Sequence, residues 1–510
     1  MKKNNSRYSG GRYLPAVLIF ILFLIFLYSA VGNAMAADLS WEDFSAYLED
    51  EVPLLMEEYH IPGANIAVME NGEIKRIKSY GLADREQEIT MTADKIFRGD
   101  SISKMVTAWG VMNLVEQGKI NLDDPAENYL TRWSFPETEF DEEKITVRML
   151  LSHRSGLPSG IYNDNHAMEE EIPSLEKSLS GKTGGPAAKP VKEPGESFVY
   201  SNPGFAVLEL IIEEVSGYDY ADYMEQEILT PLGMNNSGFR VTKEMKSEAV
   251  TNYKMGEEAV PFHNVGPVKA PGELYTTVED LSKFIGAWMK NSEKGDPGGD
   301  ILSLGSIEKL HTPEIQTTGM YQYFSDSYGL GHFIKELPDN QQVIFHGGEG
   351  SGSGSIAGGI PEKGVGIIIL TNSNGSWQLL AAVLDNWVEY LEIEWQGISR
   401  IFQVAETGGK IVLGVVLFVS FVGFRRLIKD VISGRRKFQP LSETSRIPRL
   451  LQFTLAVAVM GIWWGTSINE FLVWLLRDLS FWLEISLKIF SSFLVLSAVF
   501  TKESKRSKLI

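Results

Sequence analysis

At 510 residues the chain has room for two to four domains at the usual ~100–200 residues each. Its composition, 44% hydrophobic and 22% charged, is that of a folded protein and excludes a wholly disordered one. Zero cysteines exclude disulfides, thiolate metal sites and cysteine nucleophiles, the seven scattered histidines form no H-E-x-x-H, and a net charge of -19 argues against nucleic acid as a partner.

The charge is unevenly placed. Residues 1–36 carry Lys2, Lys3, Arg7 and Arg12 and no acid, and residues 401–510 carry 15 basic against 7 acidic side chains. The remaining 28 basic and 59 acidic residues lie in 37–400, so an acidic body is flanked by two basic, apolar ends. At the first end an apolar run, Leu14–Tyr28, is followed by Ala34-Met35-Ala36. A basic start, an apolar stretch and A-x-A are the pattern of an export signal, so 1–36 is expected to be a signal peptide or an N-terminal anchor.

The body, expected at 40–395, begins with a hairpin, Ala64–Glu70 and Glu73–Tyr80 about Asn71-Gly72. Ser103–Gln117 has helical spacing (Met105, Ala108, Val111, Met112, Val115) and stops at Gly118; Pro203–Ser216 and Thr277–Lys290 are further helices. Gly156–Ser197 reads as a long irregular loop. Strands are expected at Tyr328–Ile334, Val343–His346, Ser355–Ile360 and Gly364–Thr371. Strands at both ends with helices between them predict an α+β domain whose termini meet in one antiparallel sheet flanked by helices.

Three apolar segments follow, Ile411–Phe424, Leu450–Ile468 and about 481–500, giving an expected three-helix transmembrane region over 408–502. Arg425, Arg426, Lys429, Arg435, Arg436, Lys437, Arg446 and Arg449 fill the first loop, and Lys502, Lys505, Arg506 and Lys508 the tail. Basic loops stay in the cytoplasm, so the acidic body is expected outside a bacterial plasma membrane and the C-terminus inside. Glu470–Leu483 is expected along the outer interface. A bilayer is the implied partner, with a membrane protein as a further one through the surplus spans.

Chemistry is carried by three short motifs. Ser101-Ile102-Ser103-Lys104 opens the first strong helix, where residues three apart share a face and bring hydroxyl to amine. A buried lysine can be neutral and take the serine proton, and a helix N-terminus supplies N–H groups to an oxyanion. Tyr200-Ser201-Asn202 offers a phenol for proton exchange and an amide for positioning. His346-Gly347-Gly348 ends a strand, with glycines that admit close approach and a Glu349 N–H that can pair with that of Ser101 as a second oxyanion donor. Gly99-Asp100-Ser101-Ile102-Ser103 departs from G-x-S-x-G at its last position, and parallel βα alternation is missing, which argues against an α/β-hydrolase.

The motifs occur in an order that resembles the serine β-lactamase and penicillin-binding protein superfamily, in its branch of class C β-lactamases, D,D-carboxypeptidases and esterases. The resemblance runs over about 45–390. It rests on Phe97-Arg-Gly-Asp-Ser101-Ile-Ser-Lys104, Asn121-Leu-Asp-Asp-Pro, Leu150-Leu-Ser-His-Arg-Ser-Gly156-Leu, Tyr200-Ser-Asn202-Pro-Gly, Gly272-Glu-Leu-Tyr-Thr-Thr-Val-Glu-Asp280 and His346-Gly-Gly348. It implies an antiparallel sheet flanked by helices with an inserted helical subdomain, Ser101 as acylated nucleophile, Lys104 as its partner, Tyr200 as general base/acid and Asn202 as a positioning group. It implies no metal or organic cofactor. The expected function is a membrane-anchored extracellular serine hydrolase acting on small-molecule, peptide or cell-wall substrates, first among them D-amino-acid peptides of the wall. A catalytically degenerate wall-binding or signalling module is the alternative, and β-lactamase or esterase the alternatives within the class. His346 stands where many members carry the lysine of Lys-Thr-Gly, which removes a permanent cation.

Overall fold

The computed structural model describes residues 39–162, 171–255, 257–262, 266–290, 297–338, 340–393, 398–439, 446–467 and 477–502. The expected signal or anchor at 1–36, the interfacial residues 470–476 and the basic tail beyond Lys502 lie outside them. The chain forms two compact units, one spanning Ala37–Ile398 and one containing Ser399–Ile510.

In the first unit, helix α1 (Trp41–Glu58) starts at a reciprocal cap in which Ser40 and Asp43 bond each other's backbone N–H. It leads into the hairpin β1 (Gly63–Glu70) and β2 (Glu73–Asp84), turned at Asn71 and Gly72, both at positive φ. A short β3 (Ile89–Thr90) edges β2. The helical middle of the chain includes α2 (Ser103–Glu116), α3 (Asn202–Ser216) and α4 (Val278–Gly286). Then follow β4 (Ile315–Gln316), β5 (Ser327–Tyr328), β6 (Phe333–Glu336), β7 (Gln342–Gly350), β8 (Ser353–Ile360), β9 (Val365–Thr371) and α5 (Trp377–Tyr390).

These nine strands form one antiparallel sheet in the order β3-β2-β1-β9-β8-β7-β6-β5-β4. First and last strands are neighbours, with Ala64 opposite Thr371 and Val68 opposite Ile367. Both faces of the sheet are covered, which is why β9 reads as an unbroken apolar run. Ala67, Ile368 and Leu370 enter the core shared with α2, α3 and α4, while Ile66, Ile367 and Ile369 enter the core shared with α1 and α5. The α+β architecture expected from the sequence is the one observed.

Two elements differ from expectation. Tyr328–Ile334 is not one strand: Gly329 and Gly331, the latter at φ 83°, turn it into a hairpin between β5 and β6. A Cβ at position 331 would sit 2.7 Å from the Ala108 Cβ and 2.9 Å from the Lys104 carbonyl, so this turn packs directly on α2. Helix α2 is also not amphipathic, because every residue from Ser103 to Leu114 is buried. Within Gly156–Ser197 the described residues hold one short helix, Leu175–Leu179, in otherwise irregular chain.

The second unit contains α6 (Ile398–Ile432), α7 (Arg446–Ser467) and α8 (Arg477–Val499). Phe402–Ile432 and Leu479–Val499 are long and apolar enough to cross a membrane; the apolar part of α7, Arg449–Gly461, is shorter. A two-stranded ribbon, β10 (Arg436–Phe438) with β11 (Phe500–Lys502), joins the ends of α6 and α8.

Candidate active site

Ser101 lies in a 3-10 turn, Asp100–Ile102, that runs straight into α2. One helical turn on, Lys104 points back and its Nζ stands 3.1 Å from Ser101 Oγ. The same amine donates to the Pro271 carbonyl at 2.7 Å, and the residue is fully buried. Burial holds the Lys104 pKa well below that of a free lysine, opposed by the nearby Asp100 carboxyl. Burial therefore favours the neutral, proton-accepting form of the amine that faces the serine.

Tyr200 approaches from the start of α3. That helix is fixed by Ser201, whose hydroxyl accepts from the Gly204 N–H, by Pro203 in the first turn, and by Gly217 in the left-handed conformation beyond its end. The Tyr200 phenol shares a hydrogen bond with Ser101, and the Lys104 Nζ lies 4.8 Å from its ring centroid. Burial, then the neighbouring Tyr321, keeps the phenol protonated well above its ordinary range, against the Ser101 bond. Asn202 sits one residue further; its Nδ2 donates to Gly160 O at 2.9 Å, and its buried Oδ1 has no partner among the described residues. Ser101, Lys104 and Tyr200 thus converge from two helix starts, and Asn202 follows Tyr200 as the first residue of α3.

His346 is close but closed. It is 1% exposed, its Nδ1 lies 2.7 Å from Gly347 O and its Nε2 3.3 Å from Tyr328 Oη. Nδ1–H therefore donates to the carbonyl and Nε2 accepts from the phenol. Burial first, then Lys104, pushes its pKa well below the ordinary imidazole value, so the ring is uncharged. The glycines after it admit protein as closely as any substrate. A Cβ on Gly347 would lie 2.8 Å from the Trp377 ring, and one on Gly348 2.7 Å from Gly99 O and 2.8 Å from the Asp100 Cβ. Ser355 Oγ on β8 donates to Gly99 O at 3.0 Å, so the end of β7 and the serine turn are held together. Glu349, the expected second oxyanion donor through its N–H, stands opposite Gly354 of β8 in the strand register, and its carboxylate accepts from Trp377 Nε1 at 2.7 Å.

Three contributors escape a reading by motif. Asp100 is buried at φ 49°, accepts from Ser353 Oγ at 2.7 Å, and lies 3.4 Å from Arg98 Nε, which also pairs with Glu273. Burial raises its carboxyl to about 6, against the pull of Arg98. His153, inside Leu150–Gly156, accepts the Ser201 N–H on Nδ1 at 3.1 Å and lies 4.4 Å, centroid to centroid, from the Tyr200 ring. Tyr321 stacks on Tyr200 at 5.1 Å and 21°. The first two lie in motifs already visible in the sequence; Tyr321 carries no such signal.

The β-lactamase family model matches residues 48–389. The chain belongs to the β-lactamase family. Its members are serine hydrolases of β-lactamase fold, and the sheet and helices above are that fold. The chain is similar to protein flp of Staphylococcus aureus (strain NCTC 8325 / PS 47), with 26% identity over 335 residues covering 63% of this chain. It spans 62% of the length of flp, less than two thirds. Among solved structures it is similar to the octameric penicillin-binding protein homologue from Pyrococcus abyssi, with TM-score 0.56, 29% identity, and coverage of 67% of this chain and 77% of that one. The D-amino acid amidase from Ochrobactrum anthropi SV3 shares the fold, with TM-score 0.54, 22% identity, and coverage of 68% and 98%.

Proposed function

We propose that the Ala37–Ile398 unit is a serine acyl hydrolase that works through an acyl-enzyme on Ser101. The carrying observation is the fully buried Lys104 amine 3.1 Å from Ser101 Oγ, with its pKa lowered by that burial. The Ser101 proton passes to Lys104 Nζ as Oγ bonds to the substrate carbonyl carbon. The ammonium so formed lies near the Tyr200 and Phe205 rings, 4.8 and 5.6 Å from their centroids, where the π-faces favour it. The N–H groups of Ser101 and Glu349 receive the oxyanion. Tyr200, a phenol that keeps its proton, gives it to the leaving amine or alkoxide and is refilled from the Lys104 ammonium. Water then retraces the steps and frees the acid. Asn202 orients the substrate through its amide, and His346 shapes the wall behind Tyr200 through Tyr328.

The preferred substrates are D-amino-acid peptides of the wall, and their amide or ester relatives, that bind without a carboxylate anchor. An uncharged His346 offers no ion pair to a β-lactam or to a peptide C-terminus. In this reading the unit faces outward, tethered by the apolar helices of the second unit, with the basic loop and tail retained inside. The test is labelling by a fluorophosphonate together with turnover of a chromogenic ester and of a D-Ala-D-Ala peptide. Ser101→Ala is expected to abolish labelling and turnover while leaving the melting transition in place. Labelling that persists in the variant overturns the assignment.

A further inference from the structure

Helix α6 carries a groove unrelated to the serine site. It encloses about 630 Å³ and is lined by Phe421, Phe424, Arg425, Ile428, Lys429 and Ile432, with Ser433 at its end. Spacings of three and four place these side chains on one face. Phe421, Ile428 and Ile432 are 67%, 54% and 81% exposed, so the face is apolar and open. From Phe421 to Lys429 the helix rises about 12 Å, within the ~15 Å depth of one leaflet's hydrocarbon, so the apolar and cationic parts of the face can engage one lipid. One wall is firm, because Gly423 and Phe424 pack against Phe493 of α8.

The cations in this face are uncommitted. Asp430 is the acid next to them, and it is held by Arg435 at 2.9 Å and Arg436 at 3.7 Å. Arg436 and Arg449 spend further donors on the carbonyls of Phe500 and Ala498. Arg425 and Lys429 have no ion-pair or hydrogen-bond partner among the described residues. Two free cations set among large apolar side chains, at the end of an apolar helix, complement an amphiphile with a negative head. The chain's own apolar run, Leu14–Tyr28, is a poor occupant, since Lys2, Lys3, Arg7 and Arg12 would add four cations and no acid.

We propose that this groove binds an anionic phospholipid, its phosphate between Arg425 and Lys429 with Ser433 adjacent, and its acyl chain along Phe421, Phe424 and Ile428. The inference rests on the membrane reading given under the proposed function. Each cation near a lipid surface contributes about 1 kcal/mol, so the pair accounts for roughly 30-fold in affinity.

The full chain, purified in detergent, is titrated with phosphatidylglycerol and with phosphatidylcholine of matched acyl chains, each carrying a fluorophore on the chain. Phosphatidylglycerol is expected to bind more tightly. The double variant Arg425→Gln/Lys429→Gln is expected to lose roughly 30-fold for it, ending near the phosphatidylcholine value. The charge-conserving Arg425→Lys/Lys429→Arg is expected to retain it, and Arg426→Gln, on an exposed cation outside the groove, to change little. Equal binding of the two lipids, or equal loss in the Arg426 variant, overturns the proposal. Resistance of the full chain to alkaline extraction from vesicles tests the membrane reading separately: a resistant chain that ignores lipid charge refutes the groove alone.

Discussion

Asp100→Asn should make the hydrolase unit more stable at neutral pH, although it removes a buried charge next to the nucleophile. The Asp100 carboxyl is 3% exposed and held at about 6, against an ordinary 3.8. Keeping it ionised therefore costs the folded state about 3 kcal/mol. The sign follows from which state loses its proton first. The unfolded chain ionises this group near 3.8 and the folded one near 6, so folding stability falls as pH rises between those values and then stays low. Asparagine carries no charge to desolvate, tolerates φ near 49°, and still offers an oxygen to Ser353. The pull of Arg98 at 3.4 Å is already contained in that value, and Arg98 retains Glu273, so the gain is at most about 3 kcal/mol. Urea melts of the Ala37–Ile398 unit and its variant at pH 7.5 and pH 4 measure the difference. The gain should be present at pH 7.5 and nearly gone at pH 4. A variant less stable than the parent at pH 7.5 would mean that the Arg98 pairing outweighs desolvation, and the electrostatic account of the serine turn would be wrong.

Lys104→Arg should cut acylation by about 10²–10⁴-fold, since a guanidinium cannot accept the Ser101 proton; stopped-flow labelling reads the rate. In the parent, the same rate should level off at a lower pH than an ordinary lysine would allow, because burial lowers the amine's pKa; a rate that still climbs tenfold per pH unit up to about pH 10 would mark an ordinary lysine. Tyr321→Leu should lower kcat about threefold to tenfold with little change in KM, the loss of a ring stack of about 0.5–1.5 kcal/mol, and Tyr321→Phe should restore most of it. Glu209→Ala should destabilise the unit by about 3 kcal/mol in chemical melts: this buried carboxylate accepts the backbone N–H groups of Lys269 and Ala270 at 2.6 and 2.8 Å, just before the Pro271 carbonyl that receives Lys104.

What could be read from the sequence was whatever depends on local pattern. Asn71-Gly72 fixed the first hairpin, the expected helix Pro203–Ser216 matches α3 to within one residue, and Ser101 and Lys104 were placed on one face because three residues separate them. The division of Tyr328–Ile334 was hidden, since an apolar run with two glycines reads equally well as a strand with a bulge. The turn there is decided by the backbone of α2, to which Gly331 presses close across more than two hundred residues of chain. The all-round burial of α2 was hidden for the same reason: its apolar stripe is visible, but the elements that close over Thr107, Gly110 and Asn113 come from elsewhere.

His346 shows where the limit falls in the chemistry. The motif position was legible, and so was the loss of a permanent cation. Whether an imidazole carries charge depends on its surroundings, and these are Phe333 on β6, Tyr328 on β5 and Tyr200 just before α3. None adjoins it in sequence. Each removes water from the ring, and the two nitrogens are already bonded to Gly347 and Tyr328. The same packing that lowers the Lys104 pKa therefore discharges His346, because one dry pocket serves both. A cation at position 346 would push the amine at 104 still further toward its neutral form, so in this chain that task falls to burial alone.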